Sequence, residues 1–126
     1  MRQRIETTGA PAAIGPYSQG IATDSLVFCS GQGGLDPASG QLVEGGVTAQ
    51  TERALRNLGA VLEAAGLGFG DVVKTTCFLV DMADFGAFNE VYRRFFPDPP
   101  PARSTLAAAA LPMGAVVEIE AIAVRG

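Results

Sequence analysis

The stretch GGVTAQTERALRNLGAVLEAAGLGFGDVVKTTCFLVDMADFGAFNEVYRRFFP, residues 45–97, carries the pattern of a helix, a strand and a second helix. Apolar or small side chains recur at three- and four-residue intervals over residues 47–65, which predicts one amphipathic helix. Residues 72–80 are rich in β-branched and aromatic side chains, as is typical of a strand. A second helix is predicted over residues 82–96, with Asp81 positioned to cap it.

Strands outside this stretch complete the pattern. They are predicted over residues 20–22, 26–30, 105–111 and 116–124. A tight turn joins the first two, and Pro112-Met113-Gly114 is expected to join the last two as a second hairpin. This order of strands and helices predicts one α+β domain over residues 1–126, a sandwich with both helices on one face of a mixed sheet.

The predicted strands are poor in polar residues on both faces, and no charged residue occurs between Ser104 and Val117. Two helices can cover only one face of the sheet. An uncovered apolar face would exceed the apolar patches that soluble monomers usually expose, so another subunit is expected to cover it. The alternative is that the alanine-rich segment 107–110 tolerates solvent because each alanine buries little.

Composition narrows the function classes. Hydrophobic residues make up 48% of the 126 residues and charged residues 17%, which excludes a disordered chain. Nine Lys and Arg against thirteen Asp and Glu give a net charge of −4, so nucleic acid is a poor partner. The chain has no histidine, which excludes a Ser-His-Asp triad, a Cys-His dyad and a histidine-based zinc site.

The two cysteines, Cys29 and Cys77, each lie in an apolar run, and two buried strand thiols are expected rather than a metal site. The N-terminal residues lack the apolar core of a signal peptide, and no apolar run is long enough to span a membrane. The expected location is therefore cytoplasmic.

Arg103 and two glutamates are the first candidates for chemistry. Pro99, Pro100 and Pro101 stiffen the approach to Arg103, whose planar guanidinium matches a carboxylate or phosphate. The residue could equally be an ordinary surface arginine. Glu118 and Glu120 fall on one face of their strand, where one could activate water or both could lie at an exposed strand end.

In the predicted second hairpin, Glu118 faces Ala108, so Arg103 would lie about 16 Å away along the strand. The two side chains would then meet only across a subunit boundary. Asn89 lies on the aromatic stripe of the second helix, either in a cleft or bonded to the sheet. Tyr17 lies in a rigid turn, and the glycine-rich backbone of residues 30–34 could bind an anion.

Six motifs in order resemble the reactive-intermediate deaminase family, also called Rid or YjgF, over nearly the whole chain. They are GPYSQG (15–20), SGQ (30–32), GGVTAQTERALRNLGAVLEAAG (45–66), DMADFGAFNEVYRRFF (81–96), PARST (101–105) and LPMGAVVEIEAIAV (111–124). The resemblance implies a chorismate-mutase-like α+β fold with a six-stranded sheet, and a homotrimer with three clefts between its subunits. It also implies hydrolysis of 2-iminobutanoate and 2-iminopropanoate to 2-oxo acids and ammonia, without metal or organic cofactor.

The resemblance also implies roles for individual residues. Arg103 would bind the substrate carboxylate, and it marks the subgroup competent for imine hydrolysis. Glu118 would orient or activate water, and the backbone N–H of Gly31 would contribute to the cleft. The remaining cleft residues implied by the resemblance are Tyr17, Ser30 and Asn89.

Two departures from the family pattern stand out, and neither touches the implied catalytic residues. Thr105 stands where many members carry cysteine, and Gly33-Gly34 replaces a bulkier apolar residue. Three other functions remain open: a non-catalytic module that binds 2-oxo acids, RNA cleavage, and a chaperone with an exposed apolar surface. Net charge and the absence of histidine argue against RNA cleavage.

Overall fold

The computed structural model describes residues 1–126 and contains a six-stranded mixed sheet with two α-helices. In chain order the elements are β1 (Gln3–Ile5), β2 (Gly20–Ala22), β3 (Leu26–Gly33), α1 (Gly46–Ala64), β4 (Val72–Leu79), α2 (Phe85–Tyr92), β5 (Ala102–Ala107) and β6 (Val117–Val124). The strands lie in the order β1-β2-β3-β6-β4-β5. The predicted α+β class and the hairpin of β2 and β3 are confirmed, whereas β1 was not located in the sequence.

Helix α1 forms where the three-four pattern predicts it. Its apolar stripe, including Leu55, Leu58 and Leu62, is completely buried against the sheet. Burial of this stripe removes apolar surface from water and supplies most of the helix's stability. The helix ends at Ala64, and the N–H of Gly66 bonds the Glu63 carbonyl at 2.9 Å. Gly66 has a φ of 78°, the left-handed conformation that glycine adopts readily just after a helix.

Two polar residues of α1 are buried. The Gln50 side-chain oxygen accepts a hydrogen bond from the Val116 N–H at 3.0 Å. The Asn57 amide donates to the carbonyls of Gly33 and Leu35 at 3.1 and 2.9 Å. These bonds satisfy backbone groups that would otherwise lack partners, which explains why both amides lie inside.

The second helix is shorter than predicted. Residues 82–84 form a 3-10 turn, α2 covers residues 85–92, and the α-helix does not continue to residue 96. Asp81 caps the turn as predicted, because its carboxylate accepts the Ala83 N–H at 2.9 Å. Phe96 is nevertheless buried against the Tyr92 ring, with centroids 4.5 Å apart, so the row of packed aromatic side chains extends beyond the end of the helix.

The predicted hairpin of residues 105–111 and 116–124 is wrong. Strand β5 begins at Ala102 and pairs parallel with β4, and β4 lies between β5 and β6. Helix α2 provides the crossover that a parallel pair needs. Residues 112–114 form a 3-10 turn, but the turn connects two strands that are not neighbours.

The two faces of the sheet differ sharply. The helices cover one face, where inward residues such as Val117, Ile119 and Cys77 are fully buried. The other face, called the open face below, includes Phe28, Leu106 and Val124, with exposed fractions of 41%, 44% and 43%. No element of the chain covers these apolar side chains.

Candidate active site

The six predicted site residues line two separate cavities. One cavity, of about 450 Å³, is lined by Tyr17, Ser30, Gly31 and Glu118. The other, of about 510 Å³, is lined by Asn89 and Arg103. They are called the carboxylate cavity and the guanidinium cavity below. The structure therefore groups four of the residues in one place and two in another.

A bulge in β3 shapes the carboxylate cavity. The pairing of β3 with β6 shifts between Cys29 and Gln32, so Ser30 and Gly31 together lie opposite the single residue Glu120 of β6. Bulges of this kind redirect side chains and interrupt pairing near functional sites. A Cβ atom on Gly31 would lie 2.7 Å from the carboxyl carbon of Glu118. The glycine is therefore what leaves room for this carboxylate.

Gln19 is a residue of this cavity that the sequence analysis missed. Its buried amide accepts a hydrogen bond from the Thr7 N–H at 2.7 Å and donates to the Pro11 carbonyl at 2.8 Å. The backbone carbonyl of Gln19 accepts a hydrogen bond from the Ser30 N–H at 2.9 Å. Gln19 thus joins the N-terminal segment to the β3 bulge. Nothing in the spacing of a lone glutamine within a turn motif indicates such a role.

Tyr17 and Ser30 complete the polar lining. The Ser30 hydroxyl donates to the Ser18 carbonyl at 2.6 Å, which leaves its lone pairs free to accept from a ligand. The Tyr17 hydroxyl accepts the Ile14 N–H at 3.3 Å, and half of the side chain is exposed. Its O–H proton therefore stays available for a ligand acceptor.

Glu118 and Glu120 both point to the open face, as the period of two predicts. Glu118 is half-buried and Glu120 is exposed. Desolvation by burial raises the pKa of Glu118 above its ordinary value, and the negative charge of Glu120 raises it further. A carboxylate whose pKa is raised holds a proton more readily and is better suited to take and return one.

Arg103 lies at the edge of the sheet, on strand β5. It has no carboxylate within 4.0 Å, since the ion pairs of the chain are Arg56–Glu52 and Arg93–Glu90. Its guanidinium lies instead against aromatic rings of α2, 4.8 Å from the centroid of Tyr92. A cation without an ionic partner at a cavity wall is suited to an anionic ligand.

Two buried oxygens near Arg103 lack partners. Asn89 Oδ1, in the same cavity, and Thr105 Oγ1, two residues along β5, have no hydrogen bond within the chain. The alternative in which Asn89 bonds the sheet is therefore wrong for its oxygen. Buried polar atoms are seldom left unsatisfied, so both oxygens are available to accept a hydrogen bond.

Arg103 and Glu118 cannot meet within one chain. Arg103 is paired with Thr75, which points to the helices, and Glu118 is paired with Phe78, three residues further along β4. An odd offset places the two side chains on opposite faces. Two strand spacings and three residues of strand rise also separate their Cα atoms by roughly 14 Å.

The cysteines offer no nucleophile. Both are buried as predicted, and burial raises the pKa of Cys29 to about 12 and of Cys77 to about 11. At neutral pH both thiols stay protonated and unreactive.

No group of three or more acidic, cysteine or histidine side chains is arranged to hold a metal ion. None of the helices is both long and apolar enough to cross a lipid bilayer.

Replacing Gly31 with alanine is expected to lower kcat/KM for any reaction at Glu118 by about 100-fold, because displacing a reacting group by about 1 Å has that scale of effect. Gly31 does not require a positive φ, so the loss comes from the Glu118 contact rather than from backbone strain. Steady-state kinetics measure it. The matched control is Gly33→Ala, whose Cβ meets only a contact at 3.4 Å. Equal losses in both variants would contradict this explanation.

The fold and the two cavities define a small α+β protein of the Rid/YjgF type, with six strands, two helices and an edge arginine. The family model described as Endoribonuclease L-PSP matches residues 7–125. The chain therefore belongs to this family, the one that its motifs resemble. A mouse protein named 2-iminobutanoate/2-iminopropanoate deaminase is 57% identical over the whole chain, which spans 93% of that protein. The human protein of the same name is 50% identical over the whole chain, which spans 92% of it.

Solved structures agree with this assignment. The crystal structure of a Thermotoga maritima protein superposes with a TM-score of 0.96 at 50% identity, covering 100% of this chain and 99% of that one. The crystal structure of E. coli TdcF with bound serine gives 0.94 at 45% identity and covers 98% of this chain and 99% of that one. The identification of the family from sequence is confirmed.

Proposed function

We propose that this protein hydrolyses 2-imino acids, including 2-iminobutanoate and 2-iminopropanoate, to 2-oxo acids and ammonia. The observation that carries the proposal is the guanidinium of Arg103, which has no ionic partner within the chain and lines a cavity at the sheet edge. Such a group matches the carboxylate that every 2-imino acid carries. The names of the mouse and human relatives support the reaction.

The active form in this proposal is a homotrimer. The open face exposes apolar side chains that a neighbouring copy would cover. The guanidinium cavity of one copy would meet the carboxylate cavity of the next, and because the two surfaces differ, the contact is head-to-tail and closes into a ring. Three identical clefts would result. Each would contain Arg103 and Asn89 from one copy and Tyr17, Ser30, Gly31 and Glu118 from its neighbour.

The reaction then needs only binding and proton transfer. Arg103 holds the substrate carboxylate, and the N–H of Gly31 and the hydroxyl of Tyr17 orient the substrate beside Glu118. In the protonated imine, Glu118 takes a proton from water as the water oxygen bonds to C2, and the electron pair of the C=N bond moves to the nitrogen, which gives a carbinolamine with one hydroxyl and one amino group. Glu118 then gives its proton to the amino group, and ammonia leaves as the C–N bond breaks and the hydroxyl oxygen forms the C=O bond of the 2-oxo acid. The hydroxyl proton passes back to Glu118, which releases it to solvent or to ammonia.

The modest demands of this chemistry fit the residues present. An imine is already electrophilic and hydrolyses unaided, so positioning and one carboxylate supply the assistance required. RNA cleavage fits less well. Two carboxylates lie at the cavity that would receive a phosphate, the net charge is −4, and the chain has no histidine.

A coupled assay tests the proposal. Threonine dehydratase generates the imine from threonine, and the rate of ammonia release is measured with and without the protein. We expect acceleration above the spontaneous rate in proportion to the protein added. Binding of 2-oxobutanoate without any acceleration would instead identify a non-catalytic binding module. A parallel incubation with single-stranded RNA should show no cleavage.

A further inference from the structure

The guanidinium of Arg103 is surrounded by three aromatic rings of α2. The carbon Cζ lies 4.8 Å from the ring centroid of Tyr92, 5.5 Å from that of Phe85 and 5.6 Å from that of Phe88. These three rings are called the aromatic cage below. Cations within about 6 Å of a ring face are attracted to the electrons of the ring.

A cage and a counter-ion hold a cation in different ways. A carboxylate would occupy the N–H donors of Arg103 and neutralise its charge. Aromatic rings attract the guanidinium without accepting the strong hydrogen bonds that a carboxylate would take from its N–H donors. Arg103 therefore keeps a net positive charge and its hydrogen-bonding edge for a ligand, consistent with the lack of any ion pair to it.

Tyr92 is the one ring of the cage that a hydrogen bond also holds in place. Its hydroxyl and the Thr75 hydroxyl share a buried hydrogen bond of 2.7 Å. Thr75 lies directly opposite Arg103 in the pairing of β4 and β5. Desolvation by burial raises the pKa of Tyr92, so the phenol stays neutral and keeps this bond. The ring is thus anchored to the strand that also positions the Arg103 backbone.

We infer that the aromatic cage orients Arg103 for carboxylate binding, and that Tyr92 is a positioning residue for the substrate. The inference rests on the proposed function, to which it adds how the carboxylate-binding group is held ready before the ligand arrives. Pre-organisation of this kind strengthens binding because less conformational freedom is lost when the ligand binds.

The test compares Tyr92→Leu, which removes the ring, with Tyr92→Phe, which keeps the ring and removes only the bond to Thr75. KM and kcat are measured for 2-iminobutanoate, and calorimetry gives the Kd for 2-oxobutanoate. In Tyr92→Leu we expect KM and Kd to rise about ten-fold, within the range that cation–π contacts support, with kcat changed less. In Tyr92→Phe both constants should stay within about three-fold of the unaltered protein.

The matched control is Phe95→Leu. Phe95 is a nearby ring that packs on Phe69 and does not contact Arg103. The Phe95→Leu substitution should leave KM and Kd unchanged even if thermal unfolding shows some loss of stability. An unchanged KM and Kd in Tyr92→Leu would overturn the inference, as would equal losses in the two Tyr92 variants, because the hydroxyl rather than the ring would then matter.

The binding measurement separates this inference from the proposed function. Ring-dependent binding of 2-oxobutanoate without imine hydrolysis would contradict the enzymatic function and support the cage. Imine hydrolysis with a KM that does not change in the Tyr92 variants would support the enzymatic function and contradict the cage. If the unaltered protein neither turns over the imine nor binds 2-oxobutanoate, both proposals fail.

Discussion

Replacing Arg103 with alanine is expected to lower kcat/KM for 2-iminobutanoate by at least about 30-fold, because truncating one partner of a charge pair in a cleft costs at least about 2 kcal/mol. The Arg103→Ala variant should still fold. Arg103 forms no ion pair within the chain, and its truncation leaves no buried charge behind. Circular dichroism and size-exclusion chromatography check the fold and the assembly, and the coupled assay checks the rate.

Arg103→Lys is the matched variant for this prediction. Lysine keeps the positive charge but lacks the planar fork that binds a carboxylate through two parallel bonds. We expect activity between those of the alanine variant and the unaltered protein, with the loss mainly in KM. Full activity in the alanine variant would exclude Arg103 as the carboxylate-binding group.

Mixing two inactive variants tests whether the cleft spans two copies. Arg103→Ala and Glu118→Gln chains, unfolded and refolded together in equal amounts, should form mixed trimers. Random assembly gives about a quarter of the clefts an intact Arg103 from one chain and an intact Glu118 from its neighbour, so about a quarter of the original activity should return. A site within one chain would recover none, since every chain carries one defect.

The fold could be predicted from sequence wherever one periodic pattern decided it. Helix α1 and strand β4 are each specified by local spacing, and both were located to within one residue at each end. The partner of β5 could not be found this way. Its sequence, ARSTLA, carries no local pattern that selects a neighbour, and the parallel pairing with β4 follows from the helical crossover between the two strands.

The individual site residues could be predicted from the sequence, but their arrangement in space could not. The motifs point to Arg103 and Glu118, but no local pattern shows that they lie on opposite faces of the sheet. That fact depends on strand order, which the predicted hairpin had wrong. Gln19 and Tyr92 act through hydrogen bonds to residues distant in sequence, so their contacts appear only once the chain is folded.

Replacing Glu118 with glutamine is expected to lower kcat by about 100-fold or more, since a positioned general base contributes on that scale. The amide occupies the same volume, so binding of 2-oxobutanoate should persist.

The same substitution should leave the stability of the fold unchanged or raise it, although it lowers the activity. The folded-state pKa of Glu118 is raised, so its favourable contribution is present below the unfolded pKa and is lost as pH rises through the folded pKa. At neutral pH the glutamine variant should therefore have a Tm at or above that of the unaltered protein.

Glu120→Gln provides the pH test of the same carboxylate. If deprotonated Glu118 is the base, kcat/KM falls as pH drops through its pKa. The charge of Glu120 helps to raise that pKa, so removing it should move the acidic limb of the profile to lower pH and leave the plateau nearly unchanged. An acidic limb that stays in place in Glu120→Gln, or that persists in the residual activity of Glu118→Gln, would assign the titration to another group. Because Glu120 is exposed on the open face, size-exclusion chromatography must first show that its variant still assembles like the unaltered protein.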